Sequence, residues 1–170
     1  MFHRLTAHDH RLLDAIASRE APRWCDRGLR LLTHAGGVRI TVGFSLALLI
    51  IPSARHLGLV TALANLLSHL LVQALKRTVV RPRPSVGLPG MTALAELPDH
   101  FSFPSGHAAA AMAVAMGVFL AEPVIGIPVM ALAFLVGVSR VYLRVHYVTD
   151  VVVGQTLGAA AALLLHVSLS

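Results

Sequence analysis

A chain of 170 residues that is 56% hydrophobic and only 13% charged, with a mean hydropathy of +0.74, is one domain by length and too apolar to be a soluble one. Its net charge of +6 suits an anionic membrane surface or a phosphorylated ligand, and the basic residues lack the interleaved aromatics of a soluble nucleic-acid surface, which argues against nucleic acid as a partner. A single cysteine, Cys25, excludes an intrachain disulfide and a multi-cysteine metal cluster.

In residues 1–20, Leu5, Leu12, Leu13 and Ile16 recur at helical spacing against Arg4, Asp9, Arg11 and Asp14. This predicts an amphipathic helix lying in the membrane interface, too polar to span. With Arg19 and Glu20, these charges interrupt any apolar h-region, so no secretory signal is expected. Pro22, Trp24, Arg27 and Arg30 predict a second interfacial stretch over 21–35, ended by Gly36-Gly37. Five spanning helices are then expected, over about 38–54, 57–75, 105–121, 124–143 and 149–168, each near the roughly 17–25 residues that a bilayer core requires. The expected fold is an all-α integral membrane helical bundle of about five transmembrane helices plus N-terminal amphipathic interfacial helices. Residues 1–35 would form the interfacial segment and 36–170 the transmembrane core.

Two connections, around Pro52 and around Glu122-Pro123, are short turns. Residues 76–104 instead form a long, polar, proline-rich connection of the kind that usually carries function. Small residues crowd the third and fifth spans, from Ala108 to Gly117 and from Gly154 to Ala162, which predicts close helix packing. Asn65, His69 and Gln73 recur every four residues along the second span. Their expected role is hydrogen bonding between helices, with a polar path for a headgroup or water as the alternative.

Three polar clusters interrupt the apolar sequence: Lys76 followed by Arg83-Pro84, then Pro104-Ser105-Gly106-His107, then Ser139-Arg140 followed by His146 and Asp150. Ionisable groups between apolar segments are costly and mark a site. Counting five crossings from residue 38 puts all three clusters on one membrane face. Lys76, Arg83 and Arg140 supply permanent cations, while Ser105, as helix cap, and Gly106 offer an N-terminus with free N–H groups; this is an anion site suited to phosphate. His146 and Asp150 are four apart, so the carboxylate can fix the imidazole tautomer and leave the other ring nitrogen to attack phosphorus. His107 would protonate the leaving alkoxide. No metal or other cofactor is expected, because only Asp150 among eight Asp and Glu residues falls inside a cluster, and magnesium sites need several oxygen ligands. Arg39, Arg55, Arg77 and Arg144 read as snorkelling anchors, and Arg81 as either an anchor or a second phosphate contact.

These clusters, with eleven fixed positions in order, resemble the signature of the type 2 phosphatidic acid phosphatase superfamily, over about residues 57–168. The resemblance implies a membrane phosphatase acting on a lipid phosphate or diphosphate. In that family the residue matching His146 forms a phosphohistidine that water then hydrolyses, the one matching Asp150 orients it, and the one matching His107 is the acid. Those matching Lys76, Arg83, Ser105, Gly106 and Arg140 hold the phosphate. The rivals are a vanadate-dependent haloperoxidase, whose family shares these phosphate-site residues, and a non-catalytic lipid-phosphate binding or transport protein. A bacterial cytoplasmic membrane is the expected location, and a literal positive-inside reading turns the clusters to the cytoplasm.

Overall fold

A computed structural model describes residues 2–18, 22–97 and 99–170. Arg19 and Glu20, and the side chains of Arg4 and Leu5, lie outside the described residues. The chain forms α1 (Phe2–Ala17), α2 (Arg23–Thr33), α3 (Val38–Ile50), α4 (Arg55–Thr78), a single turn α5 (Pro84–Gly87), α6 (Gly106–Ala121), α7 (Pro123–Tyr142) and α8 (Val148–Leu169). Short 3-10 turns follow α2 and α3. Among the described residues there is no strand, only an isolated antiparallel bridge between Pro82 and Phe101.

The sequence dictates these limits locally. Pro52 and Pro123 occupy first helical positions, where a missing N–H costs nothing. Gly37 is extended and separates α2 from α3. By length and composition, Pro52–Thr78, Pro123–Tyr142 and Val148–Leu169 can each cross a bilayer, and Arg23–Gly36 with Val38–Ile50 forms a fourth candidate bent by 48°. The protein is an integral membrane helical bundle. Its outer surface carries large apolar side chains such as Ile50, Leu70, Val124, Ile127, Leu164 and Val167, a distribution suited to lipid.

At the centre stands α6, packed against α4, α7 and α8. It can occupy that position because nine of its sixteen residues, mostly alanine with Gly117, are small or slender enough to be buried. From α8, Gly154 and Gly158 face Ser105 and Ala109; a Cβ on Gly158 would run into the Ala109 carbonyl. The two glycines thus bring α8 against α6 within one chain. The N-terminal helices also join the bundle: α1 packs on α7 and α8, and α2 on α7, with Leu13 and Asp9 buried.

Candidate active site

All four core helices end or begin at one place. Lys76 lies in the last turn of α4, Arg140 in the last turn of α7, and Gly106 and His107 open α6. His146 and Asp150 flank the start of α8, and Arg83 precedes α5. A cavity of about 210 Å³ is lined by Lys76, Arg83, Asp99, Gly106, His107 and His146. A second, of about 430 Å³, is lined by Arg30, His34, Glu96, Arg140 and again His107. The three sequence clusters therefore meet, with His107 at the junction of the two cavities.

His146 is buried, and its Nδ1 lies 2.7 Å from the main-chain oxygen of Ser102. A carbonyl only accepts, so Nδ1 carries the proton and Nε2 the lone pair. The hydrogen bond expected from Asp150 is not made: its carboxylate stands 3.6 Å from Nδ1, beyond hydrogen-bond range. Instead Asp150 accepts from the Ser102 hydroxyl, from the Tyr147 N–H at 2.8 Å and from Arg81 at 2.6 Å. Ser102 thus bridges the pair, taking the imidazole proton on its carbonyl and giving its hydroxyl to the carboxylate. Burial pushes the His146 imidazole down to about 4; Asp150 opposes this, and the guanidinium groups of Arg140 and Arg83 reinforce it.

Arg83 Nη1 lies 3.3 Å from His146 Nε2 and donates to the Val145 carbonyl at 2.8 Å. On its other edge, Nη2 donates to Asp99 Oδ1 at 2.8 Å. Lys76 Nζ donates to Asp99 Oδ2 at 2.6 Å. The Asp99 carboxylate therefore joins two of the three cations, as a phosphate oxygen pair would. Burial acts to raise its pKa, but the hydrogen bonds from Lys76 and Arg83 prevail and hold the carboxyl below the usual carboxylate range. An incoming phosphate has to share these donors with Asp99 or displace it.

The third cation has room to bind. Arg140 Nη1 donates to Thr33 Oγ1 of α2 at 2.9 Å, while its Nε and Nη2 are buried with no partner among the described residues. The Ser105 hydroxyl is likewise unpartnered. It makes no cap hydrogen bond, contrary to the expected cap, because Ser105 is held by its main chain: its N–H donates to the Asp150 carbonyl at 2.9 Å. Arg81, expected as an anchor or a second phosphate contact, is engaged by carboxylates. It pairs with Asp150 and, at 2.7 Å, with Asp9 of α1, and lies 3.9 Å from the centre of the Tyr147 ring. The spacing of motifs gave no signal for Thr33 or Ser102, whereas Asp99 is marked in the sequence by its place five positions before Pro104.

The profile of one protein family, the PAP2 superfamily, matches residues 53–170, well over half the chain. The chain belongs to the PAP2 superfamily. A decaprenylphosphoryl-5-phosphoribose phosphatase of Mycobacterium tuberculosis is 37% identical over 113 residues, covering 64% of this chain and 59% of that protein. The chain thus spans about three-fifths of that relative's length. Phosphatidylglycerophosphatase B of Bacillus subtilis is 33% identical over 153 residues, covering 79% and 70%. The crystal structure of Aquifex aeolicus LpxE superposes with a TM-score of 0.80 at 28% identity, over 92% of this chain and 93% of that one. The PAP2 profile starts within the turn before α4, yet the structural match has to reach back into the N-terminal helices, so these belong to the shared fold.

Proposed function

We propose that the protein is a metal-independent phosphatase that removes a terminal phosphate from a membrane lipid through a phosphohistidine on His146. One observation carries the reading: a buried imidazole has its proton fixed on Nδ1 by a main-chain carbonyl, and its Nε2 lies beside a guanidinium in a cavity shared with Lys76 and His107. Lys76, Arg83, Arg140, the Ser105 hydroxyl and the amides opening α6 from Gly106 hold the phosphate and stabilise the five-coordinate phosphorane. Nε2 of His146 attacks phosphorus while His107 protonates the departing alkoxide. Water, deprotonated by His107, then releases inorganic phosphate and frees the imidazole. The Asp150 charge, close to Nδ1, stabilises the positive charge that the ring gains on phosphorylation. Membership of the PAP2 superfamily, and relatives named for removing phosphate from a prenyl-linked phosphoribose and from phosphatidylglycerol phosphate, support this reading.

Phosphate release by the purified chain from lipid phosphates in micelles is the test. His146→Ala is expected to lower kcat by at least ~10⁴-fold while the thermal unfolding temperature is retained, and vanadate, which adopts the phosphorane geometry, is expected to inhibit the native protein. Turnover that survives His146→Ala overturns the mechanism.

A further inference from the structure

Part of the cavity that holds Lys76 and His146 is walled by polar side chains that neither phosphate binding nor helix packing requires. Asn65, His69 and Gln73 of α4 line it. Hydrogen bonding to other helices was their expected role, yet among the described residues none of the three side chains makes a hydrogen bond. Asn65 is only 6% exposed, and its Nδ2 donor has no partner there. A buried amide donor without an acceptor is destabilising unless a ligand supplies one.

The geometry of α4 says where that ligand runs. At 1.5 Å per residue, Gln73, His69 and Asn65 stand about 4.5, 10 and 16 Å along the axis from Lys76. The stripe starts beside the phosphate seat and descends into the apolar part of the bundle. Val38, at the start of α3, lines the same cavity and is 67% exposed, so the cavity opens sideways, towards lipid. A lipid lying here with its terminal phosphate on the cations presents its next groups to the stripe. In a prenyl diphosphate, polar atoms end at the second phosphate and its ester oxygen, near the level of Gln73, and hydrocarbon would lie against His69 and Asn65. In a lipid whose terminal phosphate sits on a polyol joined to the chain through a phosphodiester, acceptors continue down the stripe.

We infer that Asn65, His69 and Gln73 form a subsite for a hydroxylated linker and its phosphodiester, so that the preferred substrate is a phosphomonoester of a glycerol or sugar linked to its hydrocarbon chain through a second phosphate. This rests on the phosphatase reading above. Asn65 Nδ2 donates to a phosphodiester oxygen, and the Gln73 amide pairs with a linker hydroxyl.

The test compares kcat/KM of the full chain on phosphatidylglycerol phosphate, a polyprenylphosphoryl phosphoribose, phosphatidate, a prenyl diphosphate and a soluble aryl phosphate. The native protein is expected to favour one or both diester-linked lipids, and which of the two it favours identifies the linker as glycerol or sugar. In Asn65→Leu the ratio of kcat/KM on the preferred lipid to that on the prenyl diphosphate is expected to fall about 3- to 10-fold. His69→Leu, on the more exposed part of the stripe, supplies the same readout should Asn65→Leu lose its cooperative thermal transition. A preference for prenyl diphosphate, or a ratio unchanged in the variants, overturns the subsite alone. Release of phosphate from none of the five substrates by the native protein overturns the phosphatase reading beneath it.

Discussion

At the scale of single residues, the chemistry proposed for His146 rests on its surroundings more than on its identity. An exposed histidine titrates near pH ~6.5, whereas burial pushes this one down to about 4. Because the shift is downward, the neutral nucleophilic form persists as pH falls and is lost only near pH 4. The acid limb of kcat/KM, after correction for the substrate's own second ionisation near pH ~6, is therefore expected near pH 4; a limb near 6.5 would mean that His146 is charged in the free enzyme. Lys76, Arg83, His107, Arg140, His146 and Asp150 were legible because they are ionisable groups at fixed spacing in an apolar chain. Ser102 and Thr33 were not. Ser102 acts on His146 through a main-chain carbonyl, which every residue has, and Thr33 meets Arg140 across 107 positions. Even the His146–Asp150 spacing, correctly read as one face, did not reveal that a serine would stand between them.

The helices themselves were readable from hydropathy, since each apolar run forms an element: the expected 57–75 is Arg55–Thr78, and 149–168 is Val148–Leu169. Boundaries shifted by a few residues where turns, not hydropathy, decide them. The roles of the small residues were less legible, because a glycine is silent about its neighbour. Gly158 faces the Ala109 carbonyl and lies near the Ala113 amide, both backbone atoms that cannot move aside, whereas nothing lies near Gly28. Gly158→Leu is expected to destabilise the protein by about 1–3 kcal/mol through overpacking. It should also reduce activity, because α6 and α8 carry His107 and Asp150; Gly28→Ala is the control. Equal melting temperatures for Gly158→Leu and the native chain would show that this contact does not set the helix spacing.

Over the whole molecule, the long connection between α4 and α6 and the N-terminal helices turn out to complete the site: one supplies Arg83, Asp99 and Ser102, the others Asp9 against Arg81 and Thr33 against Arg140. All sit at the end of the bundle where Lys76, His107, Arg140 and His146 meet. By the crossing count most of the Lys and Arg residues lie at this end, and on the positive-inside tendency we propose that it faces the cytoplasm. A reporter fused at the N-terminus is expected to register as cytoplasmic, and activity of a reporter that works only outside the cytoplasm would reverse the orientation. What the sequence determined by itself was the solvent, the helices and the candidates for the reacting groups, since hydropathy and costly ionisable residues are properties of short stretches. Which partner each group has was decided only by the tertiary structure. The tautomer of His146, the carboxylate lodged between Lys76 and Arg83, and the unpartnered amide of Asn65 all depend on distances between segments remote in the chain, and residue types and spacings do not specify those distances.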